Sequence, residues 1–162
     1  MARCRLVLPD VMIIRAAIRS DLGAILRLLR ELSEGGPQPA RAGAVRMSSA
    51  AVRAWTRIET DPDRTVLVAE RRGQIIGTLD LIIVANLTHD AQPWAIVDNL
   101  VVDPTARRAG VGRALIDDAV DRAARSACYK IEVLSHEARL GAHAFYAAVG
   151  FQNSAEGFRR YL

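Results

Sequence analysis

The sequence predicts an α/β domain whose mixed, largely antiparallel sheet is flanked by helices, and three observations carry that reading. Apolar runs with strand character alternate with helix-periodic segments in the order β-α-α-β-β-β-α-β-α-β. Short turns between consecutive strands imply antiparallel pairing, whereas one strand–helix–strand crossover implies a parallel pair. The 162 residues contain no long linker and no internal repeat, so they read as one domain. We place that domain at residues 12–162 and treat 1–11 as an N-terminal extension, because Met12 opens the more natural start MIIRAAIRSDL.

Ile13–Ala16 is a short apolar run suited to a first strand. Ser20 and Asp21 can cap a helix whose apolar positions, Leu22, Ile25, Leu26, Leu28, Leu29 and Leu32, follow the helical period. Gly35-Gly36-Pro37 ends it. Residues 35–48 show no periodicity and read as a loop or a short broken helix. Ser48 or Ser49 is placed to cap a second helix through Ile58. Val66–Glu70 and Gln74–Ala85 are β-rich runs joined by Arg71-Arg72-Gly73, a hairpin signal. The loop Asn86–Pro93 leads into an apolar strand, Trp94–Val102. Beyond Asp103-Pro104 a glycine-containing turn opens a helix from about Gly110 to Ser126. A strand at Lys130–Leu134, a helix at Glu137–Val149 and a last strand at Phe158–Leu162 complete the order.

Composition narrows the function classes. At 51% hydrophobic and 25% charged, the chain is an ordinary folded protein and not a disordered or collagen-like one. Cys4 and Cys128 make neither a disulfide framework nor a metal-ligand spacing. No apolar stretch reaches the ~20 residues that span a bilayer, and residues 1–11 hold no secretory signal, so the expectation is a cytoplasmic protein with no membrane partner. Lys130 is the only lysine, so 21 of the 22 basic residues are arginine. Their excess fits anionic ligands or codon usage equally. They are scattered without aromatic interleaving, which argues against nucleic-acid binding.

The segment Val97–Leu115 carries the chemistry. A buried strand ends at Pro104, and the loop Arg107-Arg108-Ala109-Gly110-Val111-Gly112-Arg113 opens a helix. Backbone N–H groups at a helix start are unpaired and sit at the positive end of its dipole, so they suit an anion. Gly110 and Gly112 hold no side chain between those donors and a phosphate, while Arg107, Arg108 and Arg113 add charge. Three readings compete: plain turn glycines, a dinucleotide-binding unit with Glu132 on the ribose, and a diphosphate cradle of another kind. The dinucleotide reading is weakened because Leu115 stands where a third glycine or alanine belongs. A triphosphate loop fails because no Lys-Ser/Thr follows the glycines.

Arg107-x-x-Gly110-x-Gly112 after an apolar strand resembles the acetyl-coenzyme A signature of the GNAT N-acetyltransferase superfamily. Ala142-His143-Ala144-Phe145-Tyr146-Ala147-Ala148-Val149-Gly150-Phe151 is similar to that family's A-x-x-F-Y-x-x-x-G-F block. The two blocks flank a predicted strand in the family's order, and the resemblance covers about residues 12–162. It implies that two central parallel strands, Ala95–Val102 and Lys130–Leu134, splay apart around acetyl-CoA, used as co-substrate without a metal. The pantetheine arm would pair with the backbone of Leu100, Val101 and Val102. The diphosphate would meet the N–H groups from Arg108 through Ala109, Gly110 and Val111 to Gly112, with Arg107 and Arg113 beside it.

The resemblance further makes Tyr146 the general acid for the leaving thiolate, and the Leu100 N–H an oxyanion donor. A phenol donates a proton yet stays neutral near pH 7. The alternative for Tyr146 is an aromatic packed on the core face beside Phe145. Asp98, or a water that it holds, would deprotonate the amine; its alternative is to tie down Asn99 or a backbone bulge. Asn99 would orient that water or bond to the neighbouring strand. His136 stands where many members carry a cofactor-touching asparagine, and imidazole keeps a similar hydrogen bond. His136 and His143 without a third ligand do not make a zinc site, and a capping role competes for both. The function implied is acetyl transfer from acetyl-CoA to a primary amine, on a small molecule or a protein, by direct attack in a ternary complex. The alternative is a non-catalytic acyl-CoA sensor or partner-docking module. Homodimers are common in the family, although no segment here predicts an interface.

Overall fold

The computed structural model describes residues 11–34, 47–158 and 160. Five strands form one sheet in the order β1 (Met12–Ala16), β2 (Arg64–Arg71), β3 (Gln74–Val84), β4 (Trp94–Val102) and β5 (Ile131–Val133). The first three pairings are antiparallel and β4–β5 is parallel, which makes the sheet mixed and largely antiparallel. Helices α1 (Leu22–Glu34) and α2 (Ser49–Glu59) join β1 to β2, α3 (Val111–Arg125) crosses from β4 to β5, and α4 (Leu140–Ala148) follows. No helix among the described residues is long and apolar enough to cross a membrane.

Local chemistry explains most boundaries. The Ser48 hydroxyl accepts the Ala51 N–H at 3.1 Å and starts α2. Asp21 acts one turn ahead of the expected place. Its carboxylate accepts the Ile18 N–H at 2.8 Å and closes a 3-10 turn over Arg19–Asp21 that leads into α1. Arg72 and Gly73 both take positive φ, 52° and 74°, giving the twist that a two-residue hairpin needs.

Three expectations change. The fourth helix starts at Leu140 rather than Glu137, because His136 first organises a turn: its carbonyl accepts the Arg139 N–H at 2.9 Å. β5 is only three residues long and omits Lys130 and Leu134. The last strand expected at Phe158–Leu162 does not form at Phe158 or Arg160, and 159, 161 and 162 lie outside the described residues, as do most of the loop 35–48 and residues 1–10.

The sheet has a core on each face. Leu28, Trp55, Val66, Val68 and Val101 pack with α1 and α2 on one side. Leu67, Leu79, Val97, Leu115 and Ile116 pack with α3 on the other. Gly77 sets how closely α3 sits on the sheet. A β-carbon there would come within 2.9 Å of Val111 Cγ1 and 3.1 Å of Leu115 Cδ1, so any larger residue would push away the helix start.

Candidate active site

The site begins where β4 and β5 part. Their parallel ladder holds Ala95, Ile96 and Val97 opposite Ile131, Glu132 and Val133 and stops there. β4 continues for another five residues, Asp98–Val102, paired only with β3 among the described residues. Its edge on the β5 side is a row of backbone groups suited to a third strand-like ligand.

A β-bulge sits at that parting. Thr78 pairs with Val101 and Asp80 with Asp98, so Asn99 and Leu100 together oppose Leu79. The extra residue reverses which side chains face which core. Val97 belongs to the α3 core, yet Val101, four residues on, belongs to the α1/α2 core, while Leu100 and Val102 pack toward α3. Asn99 takes φ 53°, a left-handed conformation that asparagine tolerates better than most residues. Asp98 Oδ1 accepts the Asn99 N–H at 2.8 Å, and Asn99 Nδ2 donates to Asp80 Oδ2 at 3.2 Å. The structure therefore gives Asp98 the bulge-tying contact, and Asn99 the bond across to the neighbouring strand.

The turn between β4 and α3 is equally built. Asp103 accepts the Thr105 N–H at 3.0 Å and its hydroxyl at 2.7 Å, and pairs with Arg27 of α1 at 2.8 Å. Thr105 first, then Arg27, hold the Asp103 carboxyl below its ordinary range, against a smaller opposing effect of burial. Gly110 caps α3 at φ 81°, with nothing within 4 Å of a β-carbon placed on it. Its conformation, rather than crowding, calls for glycine. No side chain caps the helix start, so the first N–H groups, from Val111 on, stay available to a ligand.

Gly112 has a packing reason to be glycine. Its β-carbon would lie 3.2 Å from Phe145 Cζ and 3.7 Å from Val102 Cγ2, so the vacant space is taken by α4. Two of the three arginines are also engaged with protein carbonyls. Arg107 Nε donates to the Val102 carbonyl at 3.2 Å, and Arg113 Nη2 donates to the Ala148 carbonyl at 2.8 Å, at the end of α4. Arg108 and Ala109 are exposed, Arg108 with φ 60°.

Tyr146 is half-buried between Phe145 and Phe151, whose ring centroids lie 5.4 and 5.7 Å away in edge-on geometry. Burial pushes its phenol above the ordinary value; the charge of Arg139 opposes that and the charge of Asp98 adds to it. The α4 phenol and the β4 carboxylate thus share one electrostatic neighbourhood. His136 Nδ1 accepts the Ala138 N–H at 3.1 Å, which leaves the proton of a neutral ring on Nε2. His143 Nε2 lies 3.0 Å from the His136 carbonyl, and no metal-holding cluster is present among the described residues. Trp94 stands under the Lys130 ammonium, 4.9 Å from its ring centroid, and His89 stacks on Tyr129.

Sequence reasoning passed over three residues that shape this site: Gly77, Arg64 and Asp80. The visible signal for Asp80 was that it interrupts the apolar run Ile75–Leu87. A separate cavity of about 480 Å³ lies between the start of α1, the β2–β3 turn and Asp103–Thr105, away from Tyr146 and Asp98.

A parallel ladder that ends after three pairs while β4 runs on, and a helix start without a side-chain cap, fit the class of an acyl-coenzyme A-dependent transferase. The chain belongs to the Acetyltransferase (GNAT) family, whose pattern matches residues 27–151. It is 32% identical over 139 residues to a glucosamine 6-phosphate N-acetyltransferase of Trypanosoma brucei brucei, covering 86% of this chain and 88% of the relative. Its structure matches a transcriptional regulator from Bacillus halodurans C-125 with TM-score 0.85 and 25% identity, over 94% of this chain and 100% of the other. A Trypanosoma brucei acetyltransferase matches with TM-score 0.75 and 27% identity, over 94% of this chain and 100% of that one. GNAT acetyltransferases use acetyl-CoA, and the protein is an N-acetyltransferase of this family with an amine acceptor.

Proposed function

We propose that the enzyme transfers the acetyl group by direct attack of the neutral acceptor amine on the thioester, with both substrates bound together. The supporting observation is that β4 leaves β5 directly before Asp98, whose charge acts on the Tyr146 phenol. Asp98, directly or through a held water, takes the proton of the acceptor ammonium. The amine nitrogen then forms its bond to the carbonyl carbon while the Leu100 N–H carries the negative charge on oxygen. As the carbon–sulfur bond breaks, Tyr146 gives its proton to the thiolate, the amide nitrogen loses its second proton to solvent, and the phenolate is reprotonated from solvent. Leu100, Val101 and Val102 supply the backbone edge for the pantetheine arm, and the N–H groups at the α3 start take the diphosphate. Arg108 is the arginine of the loop best placed to add charge there, because Arg107 and Arg113 already serve carbonyls. His136, whose Nδ1 accepts the Ala138 N–H, keeps Nε2–H as a donor for the cofactor.

For the acceptor, the likeness to a glucosamine 6-phosphate N-acetyltransferase makes an amino-sugar phosphate the first to test, followed by aminoglycosides and peptide N-termini. Thiol release from acetyl-CoA with this amine panel checks the reading. Stabilisation by acetyl-CoA without turnover on any amine would instead assign the non-catalytic sensor role, and absence of acetyl-CoA binding in calorimetry would overturn both.

A further inference from the structure

Asp80 is 6% exposed, in the middle of β3 and directly opposite Asp98 in the ladder. Two carboxylates facing each other across a sheet repel, and a buried one is costly unless it is paired. Both are accounted for. Val66 pairs with Asp80 and belongs to the α1/α2 core, so Asp80 points to that face, where the Arg64 guanidinium of β2 forms an ion pair with it. Asp98 turns its Oδ1 onto the Asn99 N–H. Asn99 is consequently gripped twice, its main chain by Asp98 and its side chain by Asp80.

We propose that Arg64, Asp80 and Asn99 form a positioning network for acetyl transfer, which locks the β4 bulge so that the Leu100 N–H and the Asp98 carboxylate face the same reacting centre. The network deepens the reading above and rests on its assignment of Leu100 and Asp98. None of the three residues touches substrate in this scheme. They act by fixing the bulge that turns the last residues of β4 over. Without a clamp, Asn99 has reason to leave φ 53°, a backbone conformation that L-residues disfavour. Relaxing the bulge would carry Leu100 off its aim, and displacements of about 1 Å at a reacting centre cost on the order of 10²-fold in rate.

Asn99→Gly tests this, because glycine keeps the left-handed backbone at no cost yet removes the bond to Asp80. We expect kcat to fall roughly 10- to 100-fold with KM for acetyl-CoA held within about twofold, the pattern of an interaction realised in the transition state. We also expect faster hydrogen exchange of the residue-99 amide, which Asp98 protects in the parent chain. Asn99→Ala should lose at least as much, and Asp80→Asn should follow the same kcat-against-KM split. An Asn99→Gly variant with parental kcat would overturn the proposal, since φ alone would then explain the asparagine. A loss shared by kcat, KM and melting temperature would also overturn it, marking a merely structural role. If the parent chain acetylates no amine, the reading above fails on its own. The exchange rate at residue 99 then decides the network: unchanged exchange in Asn99→Gly overturns it, and faster exchange supports the clamp.

Discussion

The β-carbon that Gly112 lacks would stand 3.2 Å from Phe145 Cζ, so the glycine of the α3 loop and the first aromatic of the α4 block are packing partners. Two sequence motifs that look independent are halves of one contact. That contact ties the start of α3 to α4, the helix that carries Tyr146. Arg113, the next residue of α3, reinforces it through its 2.8 Å bond to the Ala148 carbonyl.

The two glycines of the loop should therefore fail differently. Gly112→Ala forces the Phe145 ring to give way and should cost about 1–3 kcal/mol, a melting temperature lower by several degrees at this chain length. Gly110→Ala meets no neighbour but strains φ 81°, costing about 1–2 kcal/mol. Trimming the ring with Phe145→Leu should recover part of the Gly112→Ala loss and none of the Gly110→Ala loss. Thermal melts of the two double variants check this.

Tyr146 makes a pH prediction with a definite sign. Its phenol is raised above its ordinary value of 10.0, so the proton needed by the thiolate is present throughout the neutral range. Tyr146→Phe should lower kcat roughly 10²- to 10⁴-fold and abolish any fall in rate above pH 10. The folded state holds this proton more tightly than the unfolded chain does. Stability should therefore decline as pH rises past the unfolded value near 10, and Tyr146→Phe should flatten that decline. Rate profiles and melts between pH 8 and about 11 test both.

Asp21 governs the acid side. Arg15 holds its carboxyl below the ordinary 3.8, helped by the Ile18 N–H and opposed by burial. A depressed carboxyl stabilises the fold above its unfolded pKa and loses that contribution as pH falls through the lower folded value. Asp21→Asn should lose about 1–3 kcal/mol at neutral pH and show a shallower decline in melting temperature below pH 4. Urea unfolding at neutral and acid pH provides the measurement.

The features that could be read in advance were those decided within a few residues of chain. Ser48 caps α2 because its hydroxyl reaches an amide three residues on, and Arg72-Gly73 turns because both residues accept positive φ. The β4 strand, the glycine turn and α3 are likewise local, and with the Phe145-Tyr146 block they were enough to suggest the family. α4 was placed too early because its start depends on how His136 folds over the following turn. The carbonyl contacts of Arg107 and Arg113 could not be read in advance, because a guanidinium donates to carbonyls as readily as to phosphates and the nearest carbonyl is set by packing.

By itself, then, the sequence determined the order of the elements, the mixed pairing and the position of the glycine-containing turn before α3, since hydrophobic period and turn chemistry are local properties. Only the tertiary structure decided that Gly112 makes room for Phe145, that β4 bulges at Asn99, and that Asp80 draws Arg64 and Asn99 together from three strands. The physical reason is that a buried carboxylate or a missing β-carbon is defined by what surrounds it, and distant segments supply those surroundings only once the sheet has formed.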